Sequence, residues 1–212
     1  MESKRFLIIA AAVTLALSSY SPLGGTAAAQ DAETMLPMKL YVYNYARVQD
    51  PALWQVQTEL AKIFRTFRVK TEWLDSSTVP KHPQADSAYS LTIIILGPSG
   101  EAVAPGVSVL GFSSAIKEGS QPRVAYVIYP RIEHFVRASD APELQTMRAG
   151  LLLAHVIAHE IGHLLLPTTL HSAEGIMRCP WNTHEFKLAV MGHLLFTPEQ
   201  ADLIRSELAA SL

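Results

Sequence analysis

Residues 153 to 181 read LAHVIAHEIGHLLLPTTLHSAEGIMRCPW and place four histidines and two glutamates in one largely apolar stretch. On an α-helix, residues four apart lie about 40° apart around the axis, so His159 and His163 present their imidazoles side by side as a chelate. Glu160 sits one residue from His159, placed to reach a water on a shared metal ion without being a ligand itself. Two neutral imidazoles leave a zinc ion strongly Lewis acidic, and zinc brings the pKa of a bound water to about 7 in favourable sites. Glu160 is then the general base. The flanking residues Val156, Ile157, Ala158, Ile161, Leu164, Leu165 and Leu166 put this helix inside the protein, where unpaired imidazoles and a carboxylate are costly. A bound metal ion resolves that conflict.

A catalytic zinc takes three protein ligands and keeps one open position. Pro167 stops the helix, and His171 follows as the expected third ligand. Gly175 then permits a tight turn that lets Met177 lie beneath the ligands. His155, one turn before His159, is expected to be a core or supporting histidine, because three ligands spaced by four on a straight helix cannot converge on one ion. Cys179 is expected to be a small buried residue, and Trp181 to line a pocket or simply pack. Tyr126 and Tyr129 carry hydroxyls able to donate to an oxyanion, but nothing in the sequence fixes their direction.

The segment from His155 to Trp181 resembles the metzincin clan of zinc metallopeptidases, which carry HExxHxxGxxH followed by a methionine turn. The LHS and GIM pieces resemble the matching matrixin-type segment. The resemblance implies peptide hydrolysis, an α+β zincin-like fold with a twisted mixed sheet over the active-site helix, and a substrate lying along an edge strand. The chain departs from the pattern at Leu166, where the family has glycine, and at Thr169, where it has the third histidine. His171 arrives two residues late. Glu185, 22 residues after His163, resembles instead the third ligand of thermolysin-like gluzincins. His184 and His193 are further candidates, more in keeping with surface groups.

The elements expected around this segment begin with a strand from Lys39 in KLYVYNYARV, whose apolar and polar residues alternate. An amphipathic helix follows in DPALWQVQTELAKIFRTFRV, with Leu53, Val56, Leu60, Ile63, Phe64 and Phe67 at helical spacing. VKTEWLD reads as a second strand. SSTVPKHPQADSA reads as an exposed loop with a solvated His82. SLTIIILG, apolar throughout, is expected to be a central strand covered on both faces. VSVLGFSSA reads as a sheet edge near the site, and RVAYVIY as a last strand. The active-site helix is expected from about Pro142 to Leu166. FTPEQADLIRSELAASL closes the chain as a helix capped by Thr197, with Pro198 first and Gln200 three residues after the cap.

At 212 residues, 49% of them hydrophobic, the chain has the material for one well-packed domain, expected over residues 39–212. The basic head at Lys4 and Arg5, the apolar run from Phe6 to Leu17 and the exit at Ala27-Ala28-Ala29 mark residues 1–29 as a signal peptide. Residues 30–38 form a short leader, too short for an inhibitory pro-domain. Cleavage after Ala29 leaves a chain one charge more negative than its formal −2, which argues against a nucleic-acid partner. It also leaves no stable membrane anchor. With Cys179 the single cysteine, core packing must hold an exported protein together without an internal disulfide. The expectation is an exported zinc metallopeptidase acting on a peptide or protein. Its rivals are a gluzincin-type hydrolase using Glu185, a non-catalytic zinc-binding domain, and an exported domain in which the motif arose by chance and binds no metal.

Overall fold

The computed structural model describes residues 35–75, 89–103, 106, 109–114, 123–137, 145–168 and 171–211. The signal peptide with its cleavage point, most of the leader, the loop bearing His82 and the expected helix start at Pro142 lie outside these residues. The described chain is α+β, with a five-stranded mixed sheet and five α-helices.

The strands are β1 (Leu36–Asn44), β2 (Val69–Asp75), β3 (Tyr89–Leu96), β4 (Gly111–Ser114) and β5 (Val124–Ile128), in the order β2-β1-β3-β5-β4. All pairings are parallel except that of the short edge strand β4, which runs antiparallel to β5. β1 begins three residues before the expected Lys39, taking Leu36, Pro37 and Met38 from the leader. The Leu36 amide donates to the Arg68 carbonyl on the β2 side, so the Pro37 nitrogen faces the other way. There β3 pairing starts only at Met38, and proline costs no ladder bond.

The helices are α1 (Asp50–Arg65), α2 (Tyr129–Arg137), α3 (Gln145–Leu165), α4 (Thr183–Val190) and α5 (Pro198–Ala210). None of the described helices is long and apolar enough to cross a membrane. α1 starts with Pro51 in its first turn, and it ends at Arg65 rather than continuing to Val69. Arg68 takes a left-handed conformation, φ 61°, and turns the chain into β2. α5 carries the expected capping box, with the Gln200 amide donating to Thr197 Oγ1 and the Thr197 amide donating to Gln200 Oε1.

Met38, Leu40 and Val42 on β1, Leu91, Ile93 and Ile95 on β3, and Ala125 and Val127 on β5 are buried on one face of the sheet. They share a single core with α1 and α3. β3 is central, as its apolar run suggests, but it is fully covered on that face only. Ser90 is exposed, and Thr92, Ile94 and Leu96 are half-buried. α3 is buried nearly all round. Leu152, Leu153, Val156, Ile157, Ile161, Leu164 and Leu165 each contribute about 2 kcal/mol of burial, against about 1–3 kcal/mol for one unsatisfied buried polar atom. The packing of α3 thus outweighs the cost of the polar groups it carries.

Candidate metal centre

α3 ends two residues after His163, at Leu165, with the Leu166 amide still donating to the Gly162 carbonyl. Pro167 cannot continue the ladder. The chain returns at His171, and the Ser172 amide then donates to the Met177 carbonyl at 2.9 Å. This closes the loop 172–177 on itself. Gly175 is required there twice: its φ is +73°, and a Cβ would stand 2.7 Å from the Leu195 carbonyl oxygen.

His159, His163 and His171 come together, with one ligating nitrogen from each lying within 4.8 Å of the others. His159 Nε2 and His163 Nε2 are 3.1 Å apart, close to the roughly 3.4 Å separation of two nitrogens on one tetrahedral zinc at about 2.1 Å. The His159 Nδ1–H donates to the Ile176 carbonyl at 2.7 Å, which leaves the Nε2 lone pair aimed at the cluster. Trp181 Nε1 donates to the same carbonyl at 3.3 Å, and its ring meets His159 edge-on. Burial, reinforced by neighbouring imidazoles, lowers the pKa of both His159 and His163 to about 4. Both are therefore neutral, as metal ligands must be. The residues fit a divalent ion bound by three imidazoles.

Glu160 lines the same cleft, a cavity of about 1050 Å³ between β4, α2 and the segment Cys179–Trp181. It is 4% exposed, and burial pushes its pKa up to about 8. A hydrogen bond from the Ser113 side chain opposes that rise. Its Oε2 is buried and has no hydrogen-bond partner.

Met177 is fully buried beneath α3. A Cβ on Gly162 would collide with its sulfur, so glycine inside HEIGH is what lets the methionine approach. His155 is also fully buried, with Nδ1 bonded to the Leu151 carbonyl on its own helix.

The structure places several other residues away from the triad. Glu185 stands outside the histidine cluster. It accepts from the Asn182 amide at 2.9 Å as part of the α4 capping box, and it pairs with Arg178. Burial works to raise its pKa, but those hydrogen bonds and the guanidinium together hold it below the ordinary carboxylate range. His184 and His193 are exposed. Cys179 is exposed on the cleft rim rather than buried, because it follows the turn on the solvent side. Tyr126 stacks on Phe112 with ring centroids 4.7 Å apart. Strand alternation puts both on the sheet face opposite Gly111 and Ser113, so Tyr126 does not face the triad. Tyr129 opens α2, does not line the cleft, and is pushed up to about 12 by burial.

Three contributors escape the sequence reading: Ser113, the Ile176 carbonyl, and α2, whose Pro130, Arg131, His134 and Phe135 wall the cleft. The only prior signal was the expected edge strand near the site. No protein-family model and no curated protein matches the sequence.

Proposed function

We propose that the protein is an exported zinc-dependent metallopeptidase of metzincin-like architecture, with His159, His163 and His171 as the metal ligands and Glu160 as the general base. The observation that carries the reading is the meeting of three imidazoles in a cleft that also holds a buried carboxylate oxygen without a partner. A structural zinc site has four protein ligands and no use for an unligated carboxylate. Met177 beneath α3, the left-handed Gly175 and the antiparallel edge strand β4 beside the cleft support the metzincin-like assignment.

Bound by the three histidines, zinc supplies Lewis acidity, activating a water and polarising the scissile carbonyl. The chain's own part is acid–base work and orientation. Glu160 Oε2 accepts the proton of the attacking water and returns it to the leaving amine. Its raised pKa makes the protonated form accessible for that second transfer, while a dication nearby favours the carboxylate needed for the first. Ile176, through its carbonyl, fixes the His159 tautomer.

The test is hydrolysis of a quenched-fluorescence peptide library by the zinc-loaded protein and its Glu160→Ala variant. Cleavage is expected to fall by about 100-fold or more with zinc retained. Zinc binding without Glu160-dependent cleavage of any peptide would return the protein to the non-catalytic zinc-binding reading.

A further inference from the structure

Among the described residues the cleft is lined by two guanidinium groups and a single carboxylate, Glu160. The two guanidinium groups have different commitments. Arg131, on α2, donates to the Gly106 and Val109 carbonyls and so ties the stretch before β4 to that helix. Arg178 lies in the wall between the cleft and a second cavity, of about 790 Å³, and it lines both. Glu185 lines the second cavity only, and there its Oε1 meets Arg178 Nη1. The other oxygen, Oε2, accepts from the Asn182 amide in the α4 capping box. A carboxylate that is itself anchored thus holds one end of the Arg178 guanidinium, while the arginine side chain stays 34% exposed. A guanidinium carries five N–H donors, more than one carboxylate oxygen can engage.

We propose that Arg178 is a specificity-determining residue that binds a carboxylate of the substrate, so that the protein acts on peptides presenting an acidic side chain or their own C-terminal carboxylate in the cleft that holds the three imidazoles. The inference rests on the hydrolytic reading above. A guanidinium matches a carboxylate in shape as well as in charge, because its planar donors meet both oxygens at once. Glu185 holds that group in place before any ligand arrives, which lowers the ordering cost of binding. Glu185 also offsets part of the arginine's charge. With a dication on the three histidines, however, the region remains net positive even when Glu160 and Glu185 are both counted, and a bound cation is the largest local charge in such a site. An anionic group on the substrate is therefore favoured over a neutral or cationic one, and Arg178 is the fixed group that gives it a defined position.

The test uses monohydroxamates of the straight-chain dicarboxylic acids from succinic to suberic, each beside its terminal amide. The hydroxamate chelates the zinc and anchors the probe, and the tail carries the carboxylate along the cleft. Calorimetry gives the acid-to-amide affinity ratio for the zinc-loaded wild type, for Glu185→Gln, and for the double variant Arg178→Gln/Glu185→Gln, which strands no buried carboxylate. At one tail length the wild type is expected to prefer the acid by about tenfold or more. Glu185→Gln removes the competing charge and is expected to raise the ratio, and the double variant is expected to abolish the preference. Cleavage of a chymotryptic casein digest, read by mass spectrometry, separates the two sources of carboxylate. An Asp or Glu at a fixed distance from the cut assigns a side chain, and a cut at a fixed distance from the peptide end assigns the C-terminus. Cuts that follow neither pattern overturn the substrate class. Equal affinity for acid and amide at every tail length overturns the proposal and leaves the hydrolytic reading intact. A preference that survives in the double variant overturns it too, because another group then holds the carboxylate. An acid preference that needs Arg178, with no peptide cleaved, keeps the carboxylate site and removes the hydrolytic reading. Failure of every hydroxamate to bind removes the metal site and the proposal together.

Discussion

His159 and His163 lose their affinity for protons on folding, whereas Glu160 gains affinity, so the metal-free chain carries opposing pH dependences in one site. Both imidazoles drop from an ordinary 6.5 to about 4. Between those values the unfolded chain binds more protons, and stability rises with pH. Glu160 rises from 4.5 to about 8, so the folded chain binds more protons across that window and stability falls as pH increases. Below pH 6.5 these histidines, joined by His155, whose pKa burial also lowers, outweigh one carboxylate, and between pH 6.5 and 8 the titration of Glu160 dominates. The melting temperature of chelator-treated protein is therefore expected to peak near pH 6.5. Glu160→Gln is expected to remove the fall between pH 6.5 and 8, and a fall that persists in that variant would assign it to another group. The pairing of His159 and His163 was legible at this scale, because His-x-x-x-His spacing on a helix sets two imidazoles side by side without knowledge of the rest of the fold. The Ser113 contact was not, because it joins residues 47 positions apart through a strand edge whose register only the folded sheet defines.

Two helices hold the site from outside the motif, and neither had a sequence signal strong enough to be read. α2 is short, and its buried residues are only Ile132 and Val136, too little periodicity to stand out beside the following α3. α4 is shorter still and is announced only by Asn182 and Glu185, a capping box whose glutamate reads equally well as a metal ligand. The strands and the longer helices were legible because their apolar spacing extends over many residues. Their ends shifted where a special backbone state intervened, as at Arg68. Met177 and α3 are fitted to each other through Gly162. Gly162→Ala places a methyl group against the Met177 sulfur, and the loss expected is about 2 kcal/mol, typical of overpacking. Urea denaturation measures it, and an unchanged midpoint would show that Met177 moves freely. Glu185→Ala is expected to destabilise the 172–178 turn by stranding Arg178, with the loss tempered because that guanidinium is 34% exposed.

At the scale of the molecule, a one-sided sheet presents β4, α3 and the turn after His171 around a single cleft. The order of the strands and of α1, α3 and α5 was readable in advance. Pairing order and the solvent-side position of Cys179 were not, since both depend on contacts distant in sequence. The proposed export adds a further expectation: the protein recovered outside the cytoplasm should begin at Gln30, and intact-mass measurement showing residues 1–29 retained would contradict it. The proposed function depends above all on His159, His163 and His171 being the metal ligands. The measurement that tests it most directly is zinc content of chelator-free protein for the wild type, His171→Ala and Glu185→Ala, normalised to the folded fraction. One zinc per chain in the wild type and in Glu185→Ala, with loss or marked weakening in His171→Ala, is the expected result. Retention in His171→Ala together with loss in Glu185→Ala would contradict the account.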